Sequence, residues 1–232
     1  MNTQNGPYIY KYPHPSVTTD CVIFGFDGLQ LRVLLIERKN DPYKGYWAFP
    51  GGFLNEDESA ETGALRELEE ETGMKSAYIK QFHTFSSPKR DPRERVLTIA
   101  FYALVNIVEV TANDDAANAH WFALDEVPSL AFDHDTILNM AITEMRKQMY
   151  FEPIGLDLLP NKFSIDELHR LFEAVLGKNI DKGILFEHIK QLDLLIPANE
   201  SSLNNIEDKM QLFTLGHDKY QELKENGWKL AL

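Results

Sequence analysis

The chain is poor in cysteine, poor in cations and has no long apolar run, and each scarcity excludes something. Cys21 is the only cysteine among 232 residues, so an intramolecular disulfide and a cysteine-based metal site are both ruled out. It lies in the apolar stretch CVIFGF, where a buried structural thiol is the expectation rather than a nucleophile. No apolar run approaches the roughly 18 residues that a membrane span needs. The N-terminal MNTQNGPYIYKYPHPS lacks the charged start and apolar stretch of a secretory leader, so a cytoplasmic protein is the expectation. Lys and Arg number 23 against 36 Asp and Glu, a formal net charge of −13. That balance opposes general affinity for polyanions, which rests on clustered cations, while leaving room for a small anionic ligand held locally.

What is present reads as a soluble globular protein of mixed secondary structure. The stretches DCVIFGF and LRVLLIER, separated by Asp27-Gly28, predict a β-hairpin. YWAFPGGF follows as an irregular loop with Pro50 and two glycines. Over about 59–72 the pattern turns helical, with Ala60, Ala64, Leu65 and Leu68 as the apolar stripe, Ser59 or Asp57 as the N-cap and Gly73 just past the end. KSAYIKQFHTF, RVLTIAFYALVNI and AHWFAL predict further strands, and a second helix covers about 136–149. Strands mixed with two helices indicate an α+β architecture, helices packed on a mixed sheet.

The segment PGGFLNEDESAETGALRELEEETGMK places Glu67, Glu70 and Glu71 at i, i+3 and i+4 of the first helix. Three carboxylates on one helix face repel one another unless a cation neutralises them, and hard oxygen donors suit Mg²⁺ or Mn²⁺. On charge alone, an acidic solvent-facing surface is the blander alternative. Glu58, at the helix entry, is placed to pair with Arg66 or to orient the ligands.

Spacing decides between these readings. Gly52, Glu58, Arg66, Glu67, Leu68, Glu70, Glu71, Gly73 and Met74 fill every defined place of a pattern that resembles the Nudix box, and the resemblance extends over roughly 18–147. It implies a Nudix α/β/α sandwich and Mg²⁺- or Mn²⁺-dependent hydrolysis of ADP-ribose or a related nucleoside diphosphate sugar. By carry-over, Glu67, Glu70, Glu71 and the Gly51 carbonyl would hold the metal, with Glu70, Glu67 and Arg66 as the catalytic group. Asp114 or Asp115 are weaker candidates for a further acid. KRDPRERVLTIAFYAL resembles the matching segment of ADP-ribose-handling Nudix proteins, which makes Arg90 and Arg93 candidate phosphate ligands. Gly52 and Trp47 complete the expected substrate contacts, while Trp47, Phe49 and Tyr102 also suit a strand core. Asp133 and His134, in LAFDH, are expected to cap the second helix. A homodimer is expected by analogy alone.

The composition changes after about residue 150, which divides the chain into 1–150 and 151–232. SIDELHRLFEAVLG, DKGILFEHIKQLDLL and KMQLFTL read as helix, helix and strand, with Ser164 and Gly177 as caps, and PANESSLNNIED as a loop. This spacing suggests a small winged-helix-like domain. A Nudix domain followed by a winged helix resembles the Nudix-related transcriptional regulators, which gives a second expectation: a ligand sensor that binds DNA. Residues 151–232 carry nine Lys or Arg against fourteen Asp or Glu, a net charge of −5, opposite to a DNA-binding footprint. On that ground a hydrolase is the leading expectation and DNA binding is disfavoured.

Overall fold

The computed structural model describes residues 12, 14–74, 78–108, 116–198 and 211–230. Asp114, Asp115 and most of the expected wing lie outside the described residues.

The first strand, β1 (Ser16–Phe26), has continuous apolar character because both of its faces are covered. It pairs antiparallel with β2 (Leu31–Arg38) through a turn in which Asp27 Oδ1 accepts the Leu29 and Gln30 N–H groups at 2.9 and 2.8 Å. After β3 (Trp47–Ala48) and β4 (Gly51–Phe53) the chain enters α1 (Ala60–Thr72). Ser59 caps α1 by accepting from the Thr62 N–H, and Gly73, at φ 76°, ends it in the left-handed conformation that glycine adopts without Cβ strain. Three strands follow, β5 (Tyr78–Phe85), β6 (Val96–Asn106) and β7 (Ala116–Ala123).

The strands form one seven-stranded mixed sheet in the order β3-β2-β1-β6-β5, with β4 also on β1 and β7 on β2. Only β1 and β6 run parallel among these pairs. Alternation along β1 sends Cys21 and Ile23 to one side, where they meet Ala64 and Leu68 of α1. Val22 and Phe24 face the other side, against Ile137, Leu138, Ala141 and Met145 of α2 (His134–Met149). The expected α/β/α sandwich is therefore present. Burial, with the Asp20 carboxylate adding to it, pushes the Cys21 thiol up to about 12, so it is the inert structural thiol expected.

The second part follows a 3-10 turn at Leu156–Leu158. Strand β8 (Phe163–Ser164) leads into α3 (Ile165–Leu176), whose capping box joins Ser164 and Glu167. Then come α4 (Lys182–Gln191), β9 (Leu195–Pro197) and β10 (Leu212–Leu215), giving a small sheet in the order β8-β10-β9. Two helices before a β-hairpin match the winged-helix expectation. A last helix, α5 (His217–Asn226), has no counterpart in the sequence expectations, because its apolar pattern is short: Tyr220 and Leu223 are its buried residues.

The two parts share one continuous core that runs from Phe24 and Met145 to Phe172, Leu185 and Trp228. The C-terminal segment is clipped to the end of α2. Trp228 Nε1 donates to the Met149 carbonyl at 2.9 Å, and the Trp228 and Leu230 N–H groups donate to the Phe151 and Tyr150 carbonyls at 2.8 and 3.0 Å. Trp228→Ala removes a buried indole together with its hydrogen bond, so it should lower unfolding free energy by about 3–5 kcal/mol. Urea denaturation followed by circular dichroism measures this.

Candidate functional site

A pocket of about 420 Å³ opens where β1, β4, α1 and the start of α2 meet. Its position follows from the register of β1: Thr19 pairs with Gly52 and Asp20 with Gly51. The two glycines have no side chains for a physical reason. A Cβ on Gly51 would overlap the Thr19 carbonyl, and one on Gly52 would overlap the Glu67 carboxylate.

One wall is acidic. Helix α1 presents Glu67 and Glu71 to the pocket, while Glu70, half-exposed, stands outside its lining. Arg66 joins Glu67 and Glu70 to Glu58. Its guanidinium grips Glu58 through two bonds, Nε to Oε2 at 3.0 Å and Nη2 to Oε1 at 2.7 Å. The Nη1 donates to Glu67 at 2.7 Å and Glu70 at 2.9 Å. The hydrogen bonds from Arg66 and from the Asn55 N–H hold the Glu58 carboxyl at about 2, well below the usual carboxylate range. Glu67 moves the other way: burial raises its pKa, and neighbouring Glu70 and Glu58 add to that against the pull of Arg66. Glu71 is buried and its Oε2 accepts the Gly51 N–H at 2.8 Å.

The carboxylates therefore do not depend on an external cation alone, because the chain supplies a guanidinium of its own. Among the described residues no three His, Cys, Asp or Glu side chains already converge on one point. In kind, the donor set still fits a divalent cation: three carboxylates of hard oxygen, one of them desolvated, beside glycine backbone that allows close approach.

The opposite wall is basic and aromatic. Arg38, Arg93 and Phe132 line it, with Arg38 Cζ 4.9 Å and Arg93 Cζ 5.8 Å from the Phe132 ring centroid. Asp91, although burial opposes it, is held below the usual carboxylate range by two hydrogen bonds from the Arg93 guanidinium. Arg38 has no carboxylate within ion-pair distance among the described residues; it donates to the Pro42 and Asn40 carbonyls. Burial lowers its pKa and the Arg93 charge lowers it further. Phe132 itself is held at φ 55°, a strained backbone for a bulky residue. Two like charges flanking one ring favour an anion.

Other candidates fall differently. Arg90 reaches the pocket wall, but its guanidinium is only 4% exposed and committed to Asp133 at 2.9 and 3.2 Å and Asp20 at 3.4 Å. A buried ion network takes up those donors, which gives Arg90 a structural role beside the phosphate contact expected of it. Asp133 stands at the N-cap of α2 yet makes no side-chain cap bond, because its carboxylate serves Arg90. His134 is the first helical residue, stacked on Phe49, and its Nδ1 accepts the Phe49 N–H at 3.1 Å. Trp47 is not on the pocket wall; it packs on Phe122, and Tyr102 is in the core on the α2 side of the sheet. Arg38 is the residue the sequence reading missed. Its only signal is its place at the end of an apolar strand.

The buried His134 ring carries a pH prediction. Burial pushes its pKa below the ordinary 6.5, with the Asp20 carboxylate opposing and Arg90 reinforcing. The unfolded chain takes up a proton near 6.5 that the folded chain refuses, so this contribution is intact above that pH and is lost as pH falls below it. His134→Asn should flatten the fall in urea midpoint between about pH 6.5 and 5; an unchanged profile would remove His134 from the account.

With this geometry in hand, the comparisons with known proteins are consistent across both parts of the chain. The NUDIX domain family matches residues 14–140, and the NrtR DNA-binding winged helix domain family matches residues 155–215. A protein of Acinetobacter baylyi described as "ADPR responsive transcriptional repressor NtrR" is 36% identical over 176 residues, covering 74% of this chain and 70% of the relative. The ADP-ribose pyrophosphatase of Methanocaldococcus jannaschii is 42% identical over 127 residues, covering 55% of this chain and 73% of the relative. The crystal structure of Shewanella oneidensis NrtR complexed with a 27mer DNA superposes with a TM-score of 0.74 at 30% identity, covering 93% of this chain and 99% of the other. Net acidity, taken above as disfavouring DNA, thus does not set the second part apart from a DNA-binding domain family. The chain belongs to the Nudix family and carries a C-terminal winged helix domain of the NrtR type.

Proposed function

We propose that this protein is a ligand-responsive transcriptional regulator: its Nudix pocket receives ADP-ribose and its winged helix binds DNA. The observation that carries the reading is the coincidence of two features in one chain. A pocket with an acidic and a basic wall shares a continuous core with an NrtR-type winged helix.

In this reading Arg38 and Arg93 bind the pyrophosphate, and Phe132 and Phe53 offer ring faces beside it. Gly51 and Gly52 let the backbone approach the phosphates. Glu67, Glu70 and Glu71, with the Gly51 carbonyl, would hold Mg²⁺ or Mn²⁺. A bound divalent ion would supply neutralisation of pyrophosphate charge and acidification of a water. On the DNA side, α4 stands where a recognition helix is expected, with Glu187, Lys190 and Gln191 on its exposed face.

A second reading, hydrolysis of ADP-ribose to AMP and ribose phosphate, is favoured by the complete set of Glu58, Arg66, Glu67, Glu70 and Glu71. In it Glu70, whose side chain is 49% exposed, would take a proton from an attacking water, while Arg66 keeps Glu58 and Glu67 in position. The two activities are compatible in one molecule.

Selection from a random duplex library at low salt tests the regulator. The expected outcome is enrichment of a related set of sequences bound with nanomolar affinity, whereas no enrichment at about 50 mM salt would leave the hydrolase alone. Arg38→Gln should weaken ADP-ribose binding by about tenfold to a hundredfold in calorimetry, the loss of one or two charge-assisted hydrogen bonds. If the protein turns over ADP-ribose, Glu70→Gln should reduce kcat by at least about a hundredfold with an unchanged melting temperature.

A further inference from the structure

A second depression, of about 690 Å³, lies at the junction of the two parts, on the last turns of α2 and the C-terminal segment. Its shape follows from two periodicities. Thr143, Arg146, Lys147 and Tyr150 are spaced by three and four residues, so they share one face of α2. The extended C-terminal segment alternates: Trp228 and Leu230 are buried, so Lys229 between them projects to the surface. The hydrogen bonds that clip Trp228 and Leu230 to the end of α2 bring Lys229 alongside that helical face.

The floor is apolar and the rim is cationic. Phe151, 59% exposed, presents one of the most exposed large apolar side chains of the described residues and has no aromatic partner among them. Lys178 lies over the Tyr150 ring at 5.6 Å, adding a further cation at the same edge. Lys147 is paired with Glu144 at 2.7 Å and Arg146 donates from Nε to the Val175 carbonyl at the end of α3 at 3.3 Å, but Lys178 and Lys229 have no carboxylate within ion-pair distance among the described residues. In a chain of net charge −13, Lys178 and Lys229 beside the Tyr150 and Phe151 rings are a local excess of cations. Nothing in the Nudix pocket uses them, since that pocket is lined by residues from Thr18 to His134.

We propose that this junction is a second binding site, for a small aromatic anion: a flat ring system carrying one or two negative charges. The ring packs on Phe151 and Tyr150, and the anionic group meets Lys229, with Arg146 and Lys178 at the same edge. Because the two walls come from α2 and from the segment after α5, an occupant bridges the clip between the parts. The inference does not depend on whether the Nudix pocket senses or hydrolyses its ligand.

The test is fluorescence titration of the full chain with 8-anilino-1-naphthalenesulfonate, a ring system with one sulfonate, in the presence of saturating ADP-ribose to occupy the Nudix pocket. The expected result is one saturable site, at least about tenfold tighter than for uncharged N-phenyl-1-naphthylamine, and weakened at least about tenfold by Lys229→Glu or by Phe151→Ser. Both substituted residues are exposed, so the urea midpoint should stay at the wild-type value. Absence of saturable binding, or equal affinity in wild type and both variants, overturns the proposal.

Discussion

Much of the structure depends on one buried carboxylate. Strand β1 has helices over both faces, so the stretch from Thr19 to Gly25 is buried, and Asp20 is carried inside with it. A carboxylate buried there requires counter-charge and hydrogen bonds. Arg90 supplies the charge and is held by Asp133; His134 Nε2 stands 3.6 Å away on the other side. These contacts fix the turn before β6 and the first turn of α2 against the sheet. The pocket is the space they leave open.

That origin explains the division of labour among the arginines. Arg90 is consumed by the fold, Arg66 by the glutamates of α1, and Asp91 takes up much of the hydrogen-bonding capacity of Arg93. Arg38 keeps a half-buried guanidinium without a carboxylate partner, beside the Arg93 charge. The site thus opposes a guarded acidic wall to a basic wall with unspent charge, an arrangement suited to an anion that also binds a divalent cation.

Sequence was a good guide where local chemistry decides the outcome. The caps Ser59, Gly73, Ser164 and Gly177 stand where their types predict, since each satisfies backbone groups within a few residues. The Glu58–Arg66 pair was legible from spacing. The fate of Arg90 was not, because its partners Asp20 and Asp133 are 70 and 43 residues away. Helix α5 was missed because its packing rests on Tyr220 and Leu223 meeting the rest of the core, a tertiary effect. Charge counting is a weak guide to DNA binding for a different reason: net charge averages over a surface, and recognition depends on local arrangement.

The central claim is that the pocket and the winged helix act as one thermodynamic unit, joined through the core that α2 shares with α3 and Trp228. Linkage makes this measurable, since a ligand that changes DNA affinity must have its own affinity changed by the same factor. Calorimetric titration of ADP-ribose into the free protein and into its complex with a selected duplex is the direct measurement. The account predicts dissociation constants that differ by about fivefold or more, matched by the same factor in duplex affinity. Equal affinity in both titrations, with protein, duplex and ligand bound together, would contradict it.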